Sequence, residues 1–129
     1  MSVASPLLHE WLLEHAARRP EAPALATPAL RLAYGEVAER VGDLAAHLHA
    51  AGVRRGDRVL AALPNTPATV IASLAVHALG GVAVEVNREW SADVQAEIVA
   101  RTGVRHAFVW GRDARTWARA RAGRPLDRL

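Results

Sequence analysis

The chain has 129 residues, which is room for one domain with a proper core, because a protein of this size buries about two thirds of its unfolded surface. Its hydrophobic share of 51% and charged share of 22% are ordinary for a globular protein and exclude disorder along the whole chain. The sequence contains no Cys and no Lys. These absences exclude thiolate chemistry, Cys-bound metals, a phosphate-loop lysine and a Schiff-base lysine.

The formal net charge of +3 is concentrated in the second half of the chain. Residues 1–64 hold equal numbers of Arg and acidic residues, whereas residues 111–129 alone carry six Arg against two Asp. A basic tail of this kind binds nucleic acid or an anionic membrane in some proteins. Here it contains one Trp and no Lys, Tyr or Phe, so base stacking would be weak. A solvated end with Arg-rich coding bias is the favoured interpretation.

The first predicted helix has Ser5 as its N-cap and Pro6 in its first turn, and it ends before Pro20. Helical spacing places its apolar residues on one face: Leu7, Leu8, Trp11, Leu12 and His15. Two short strands, 24–27 and 30–34, follow this helix and are predicted to pair as a hairpin.

From Gly35 onward, predicted helices alternate with predicted strands. The helices span 35–51, 67–79 and 92–102, and the strands span 58–63, 82–86 and 106–110. Thr66 and Ser91 are the expected N-caps, and Gly52 and Gly103 follow helix ends. The inward residues are predicted to be Val37, Val41, Leu44 and Leu48 in the first of these helices, and Val94, Ile98 and Val99 in the last.

Helices between successive strands imply parallel pairing with right-handed crossovers. The apolar strand 82–86 is expected to be buried on both faces, as in a parallel sheet. The predicted fold class is α/β, an open mainly parallel sheet with helices on both faces. Residues 1–110 form the predicted main segment, and residues 111–129 form an Arg-rich tail that is helical, frayed or disordered.

Targeting signals are not evident in the sequence. Residues 1–5 carry no positive charge, and the apolar stretch from Val70 to Val84 is interrupted by His77 and Gly80–Gly81. We therefore expect no membrane span and a cytoplasmic location.

Searches for catalytic motifs are negative. His47 and His49 point to nearly opposite sides of a helix, and His9-Glu10 with His15 does not match H-E-x-x-H. His77 and His106 are expected to be core or edge histidines. The four serines lie outside nucleophile motifs, and glycine-rich phosphate loops are missing. The sequence therefore assigns no catalytic, cofactor-binding or metal-binding residue.

The turns between a strand and the following helix are the best remaining place for ligand contacts. Ligands of open α/β sheets bind at the carboxyl ends of the strands. The residues in these turns are Asn65, Thr66, Asn87, Arg88 and Trp90. Turn formation and helix capping remain the favoured roles for all five.

Five motifs occur in the order and spacing of one enzyme superfamily. They are A-R-R-P-E-A-P-A-L (17–25), L-A-Y-G-E-V (32–37), G-V-R-R-G-D-R-V (52–59), L-P-N-T (63–66) and L-G-G-V-A-V-E-V-N (79–87). From about Leu7 to Val109 the chain thus resembles the N-terminal part of the adenylate-forming superfamily. This superfamily includes acyl-CoA synthetases, the adenylation domains of nonribosomal peptide synthetases, and luciferase. Asn87 favours the acyl-CoA synthetases, although Glu85 stands where many members have a less polar residue.

The resemblance implies activation of a carboxylic acid, with ATP and Mg²⁺, to an acyl-adenylate and transfer to a thiol such as coenzyme A, as in fatty acid metabolism. The matching motifs are scaffold, whereas the phosphate loop and the catalytic Lys of family members lie further on. We expect this chain to be inactive alone and to need the remainder of the ligase as its partner. A stand-alone, non-catalytic binding or regulatory module is the alternative, and an Arg-rich nucleic-acid binder is a third hypothesis.

Overall fold

The computed structural model describes residues 7–115, 117 and 127–128. The α-helices bounded within these residues are α1 (Leu8–Arg18), α2 (Tyr34–Ala50), α3 (Pro67–Ala78) and α4 (Ala92–Thr102). The strands are β1 (Pro23–Ala26), β2 (Arg31–Ala33), β3 (Arg58–Ala62), β4 (Val82–Glu85), β5 (His106–Val109) and β6 (Asp127–Arg128), and a 3₁₀ turn spans Gly111–Asp113.

The main sheet is parallel throughout, in the strand order β4-β3-β5-β6. Central strand β3 aligns with both neighbours, with Leu60 opposite Val84 of β4 and Ala107 of β5. Strands β1 and β2 form a separate antiparallel hairpin, as predicted. The α/β class with a mainly parallel sheet is confirmed.

Strand β3 divides the core between the two faces of the sheet. Val59 belongs to a cluster with Leu12 of α1, Val37 and Leu48 of α2, and Val76 of α3. The next residue, Leu60, belongs to a second cluster, completed by Ala62, Val99, Val104 and Trp117. Successive side chains of a strand point to opposite faces, so α1–α3 cover one face and α4 the other. The predicted helices on both faces are confirmed.

The four caps predicted for α2, α3 and α4 are all found at the expected positions. Thr66 and Ser91 are the N-cap residues of α3 and α4, and the Ser91 hydroxyl accepts a hydrogen bond from the Val94 N–H at 3.4 Å. Gly52 and Gly103 have positive φ beyond α2 and α4, a conformation that glycine adopts without steric cost.

The predicted start of α1 is wrong. The N-cap is Leu7, whose N–H donates to the Glu10 carboxylate at 2.7 Å while its carbonyl accepts from the Glu10 N–H. The side chain of Glu10, the third residue of α1, thus caps the N-terminal end of the helix. Ser5 and Pro6 lie outside the described residues.

The predicted burial of β4 on both faces is also wrong, although its parallel pairing is confirmed. Within the described residues β4 lies at the edge of the sheet, and Val82 and Glu85 are exposed.

The predicted inward faces of two helices also differ from the structure. In α4, Val94 is exposed and Gln95 is buried in its place. In α1 only Leu12 is fully buried, so most of the predicted apolar face is open.

The predicted division at residues 110 and 111 stays a prediction. Within the segment 111–129, Trp117 is buried in the second cluster, and β6 pairs with β5. The sequence pattern predicted neither feature.

Candidate functional site

The carboxyl ends of β3, β4 and β5 bring three loops to one edge of the sheet. Because the strands are parallel and in register, residues 63–66, 86–91 and 110–113 all follow at that edge. This is the edge at which open α/β sheets bind ligands. All five residues selected from the sequence lie in these loops.

Asn65 and Thr66 line a pocket of about 230 Å³ between the start of α3 and the β1–β2 hairpin. The rest of its lining comes from Pro67 and Val70 of α3 and from residues 25–27. The Thr66 side chain makes no capping hydrogen bond, whereas the Thr69 hydroxyl donates to the Pro64 carbonyl at 2.6 Å. Thr69 therefore stabilises the turn, and the Thr66 hydroxyl makes no capping hydrogen bond.

The loop after β4 is held by hydrogen bonds within the loop. The Asn87 side-chain oxygen accepts from the Glu89 N–H at 2.9 Å, and the Asn87 carbonyl accepts from the Trp90 N–H at 3.3 Å. An Asn side chain bonded to the backbone two residues on forms a local turn. For Asn87, the turn-forming role favoured from the sequence is the one its contacts show.

Gln95 fixes the same loop from helix α4. Its side-chain nitrogen donates to the Trp90 carbonyl at 2.7 Å and approaches the Arg88 carbonyl at 3.5 Å. The residue is 1% exposed, and its side-chain oxygen has no hydrogen-bond partner. The sequence pattern assigned no role to Gln95. The sequence feature that could have indicated its role is its position: Gln95 is a polar residue one turn before Val99, on the inward face of α4.

Arg88 joins the loop after β4 to the turn after β5. Its Nε donates to a carboxylate oxygen of Asp113 at 2.7 Å, and both side chains are largely buried. The hydrogen bond to Asp113 raises the pKa of Arg88 above its ordinary value, against a smaller opposing effect of desolvation. The guanidinium therefore stays positive and serves to lock two loops together.

Asp113 lies in the predicted tail, residues 111–129, so the sequence does not predict its pairing with Arg88. The two residues are 25 positions apart, and a spacing of that length predicts no contact. Only the parallel register of β4, β3 and β5 brings their loops to one edge.

The pocket beside Asn65 and Thr66 does not include the other three predicted residues. The pocket beside Asn65 and Thr66 is lined by the hairpin and α3, and residues 86–91 take no part in it. Trp90 is largely exposed, while Arg88 is engaged with Asp113. The edge therefore carries two separate groups of polar residues.

Metal-binding clusters are absent from the described part of the chain, where no group of three His, Asp or Glu side chains converges. His106 is buried at the start of β5, with Nδ1 lacking a hydrogen-bond partner. Among the described residues, no helix is both long and apolar enough to cross a membrane. The sequence assigns no catalytic, cofactor-binding or metal-binding residue, and this stays a prediction.

Comparison with known proteins gives concordant matches. The sequence profile of the family described as AMP-binding enzyme matches residues 12–127. Over 99 residues the chain is 36% identical to the nonribosomal peptide synthetase GRA1 of Gibberella zeae, a match covering 77% of this chain and 1% of that protein. Over 112 residues it is 33% identical to a 4-chlorobenzoate–CoA ligase of Arthrobacter, covering 85% of this chain and 20% of the ligase.

Solved structures agree with the sequence matches. The N-terminal subdomain of NpsA from Klebsiella oxytoca superposes with a TM-score of 0.77 at 27% identity, covering 81% of this chain and 28% of that one. The chain therefore spans a fifth or less of the two curated relatives, and under a third of the solved subdomain.

Proposed function

The chain belongs to the AMP-binding enzyme family, and from that membership we propose that it is the N-terminal segment of an ATP-dependent acyl-activating ligase. The complete ligase converts a carboxylate to an acyl-adenylate and then to a thioester, in the manner of an acyl-CoA synthetase. This segment contributes scaffold and is inactive alone. We place the complete enzyme in the cytoplasm and in the metabolism of fatty or related carboxylic acids.

The named activities of the relatives and their length support this proposal. One is named as a CoA ligase and another as a nonribosomal peptide synthetase, and this chain matches only a small part of each. The remaining chemistry would come from a further stretch of chain, in the same or a separate polypeptide. That stretch is the proposed partner.

ATP, Mg²⁺ and coenzyme A are implied by the family, but the described residues do not fit them. Asn87 and Gln95 are engaged in holding their own loop, and Arg88 is paired with Asp113. The described residues contain no cluster of carboxylates for a metal ion, and the sequence has no Lys to stabilise a transferring phosphate. No catalytic step is assigned to this chain.

The observation that carries the proposal is the combination of a well-packed family scaffold with a sequence that contains no Lys and no glycine-rich phosphate loop. Pyrophosphate exchange tests it directly. The purified 129-residue chain, given ATP, Mg²⁺ and a panel of carboxylic acids, should show no exchange above a protein-free blank, because loss of charge stabilisation at phosphate costs about 10²-fold or more for each donor. Carboxylate-dependent exchange would contradict the inactivity of the isolated segment.

The source of the missing part requires a different measurement. Sequencing the transcript beyond codon 129, and the neighbouring reading frames, should reveal a coding stretch for a glycine-rich phosphate loop ending in Lys. If no such stretch occurs nearby, the stand-alone module becomes the better interpretation. Its supporting observation is the closed core, in which Leu48, Val53, Val59 and Leu60 are fully buried.

A further inference from the structure

A second pocket lies at the opposite, amino-terminal edge of the sheet. It has a volume of about 240 Å³ and is lined by Leu7, Leu8 and Gly80–Gly81, together with three basic side chains: His9, Arg55 and His77. Arg55 belongs to the turn before β3, and Gly80–Gly81 lead from α3 into β4. The start of α1 closes the remaining side. We name this cavity the Arg55 pocket.

The three basic side chains of the Arg55 pocket have no acidic partner among the residues that the structure describes. Among the described residues, none of them makes an ion pair or a side-chain hydrogen bond. His9 Nδ1 is a buried nitrogen without a partner. A buried polar atom left unpaired costs free energy, which a bound hydrogen-bonding group would recover.

The acidic residues closest in sequence to His9 and Arg55 are Glu10 and Asp57, and both already accept a backbone hydrogen bond. Glu10 accepts from the Leu7 N–H at 2.7 Å, and Asp57 accepts from the Arg54 N–H at 2.7 Å. Neither side chain lines the pocket. The polar side chains of the lining are therefore one arginine and two histidines, and no carboxylate lines the cavity.

The Arg55 side chain occupies space that is free because Gly80 has no side chain. A Cβ atom at Gly80 would lie 3.0 Å from Arg55 Cγ, so the Arg55 side chain lies directly across this glycine. The stem of Arg55 therefore packs against the backbone of Gly80, while the residue as a whole remains exposed to solvent.

We propose that the Arg55 pocket binds a small organic anion with an apolar body. The guanidinium of Arg55 matches the two oxygens of a carboxylate, sulfonate or phosphate monoester, and the two imidazoles supply further N–H donors. Leu7 and Leu8 would contact the apolar body. This proposal does not depend on the proposed function, because it uses residues at the other edge of the sheet.

The test uses the full 129-residue chain and 1-hexanesulfonate, which has the required charge and an apolar chain short enough for the cavity. Calorimetric titration should give a Kd of about 1 mM, as expected for a ligand with few atoms. 1-Hexanol has the same chain without the charge and should bind at least fivefold more weakly. Equal binding of hexanol would overturn the proposal, since the pocket would then be merely apolar.

Variants identify the pocket as the place of binding. Arg55→Gln and His77→Gln should each weaken hexanesulfonate binding at least threefold. Arg40→Gln removes the same charge from an exposed position of α2 and should leave the Kd unchanged. Equal loss in the Arg40 and Arg55 variants would indicate general charge attraction and overturn the proposal. Circular dichroism verifies that each variant is folded, and the His77 variant gives an independent answer if the Arg55 variant is not.

Discussion

At the scale of single residues, close packing singles out Gly81 among the glycines. A Cβ atom at this position would lie 2.9 Å from a methyl carbon of Val76 and 3.1 Å from the Asp57 carbonyl oxygen. Val76 is buried, and the Asp57 carbonyl accepts a hydrogen bond from the Val82 N–H at 2.8 Å, so neither neighbour can move freely. Gly81 is thus required for space, whereas Gly52 and Gly103 are required for their positive φ.

Replacing Gly81 by Ala should destabilise the chain by about 1–3 kcal/mol, because the added methyl group overlaps atoms that cannot move freely. Gly42 is the matched control, since it is exposed on α2 and a Cβ there meets nothing within 4 Å. Gly42→Ala should stabilise by about 0.5–1 kcal/mol through its helix propensity. Urea unfolding followed by circular dichroism measures both changes, and a destabilised Gly42 variant would contradict this explanation.

At the scale of elements, strand β3 organises the fold because it is buried on both faces. Val59 packs against α1–α3, and Leu60 packs against the cluster around α4. Its neighbour β4 is also mostly apolar but lies at the edge of the sheet within the described residues. Composition therefore does not distinguish a central strand from an edge strand, since both need an apolar side toward the helices.

Leu60→Ala should destabilise by about 2–5 kcal/mol, because it opens a cavity between β3 and α4. Leu13→Ala is the matched control: Leu13 is about half exposed on α1 and belongs to neither cluster. That variant should change the free energy of unfolding by less than about 0.5 kcal/mol. Denaturant titrations would measure the difference, and a Leu60 effect as small as that of Leu13 would refute the two-sided core.

At the scale of the whole molecule, one side of the fold presents an apolar groove that nothing covers among the described residues. Leu8 and Trp11 of α1 and Val70 of α3 are each substantially exposed, and they border a cavity of about 210 Å³. Leu12, Leu25, Tyr34, Val37 and Leu74 form further parts of its wall. A monomeric domain seldom leaves so many large apolar side chains together in water.

This groove separates the two hypotheses for the chain. A segment of a larger ligase should self-associate in analytical ultracentrifugation and bind a hydrophobic dye, because the surface that packs against the missing part is open. Leu8→Ser with Trp11→Ser should lower dye binding by half or more, whereas Leu13→Ser, outside the groove, should not. A dye-silent monomer would favour a stand-alone module.

Much of the site could be predicted because it depends on local chemistry. Thr66, Ser91 and Asn87 occupy turns whose residue types favour caps and Asx turns, and the structure places them there. The Arg88–Asp113 ion pair and the buried Gln95 could not be predicted. Each depends on which loop lies beside which, and that follows from strand order.

The sequence by itself determined the succession of elements, the α/β class, the parallel pairing and the family, since these depend on periodicity, caps and short motifs within a few residues. Tertiary structure alone decided that β4 is an edge strand within the described residues, that α1 leaves most of its apolar face open, that Trp117 joins the core and that β6 pairs with β5. The physical reason is that burial depends on what packs against a surface. An apolar pattern states which side chains avoid water, but not whether a partner is there to cover them.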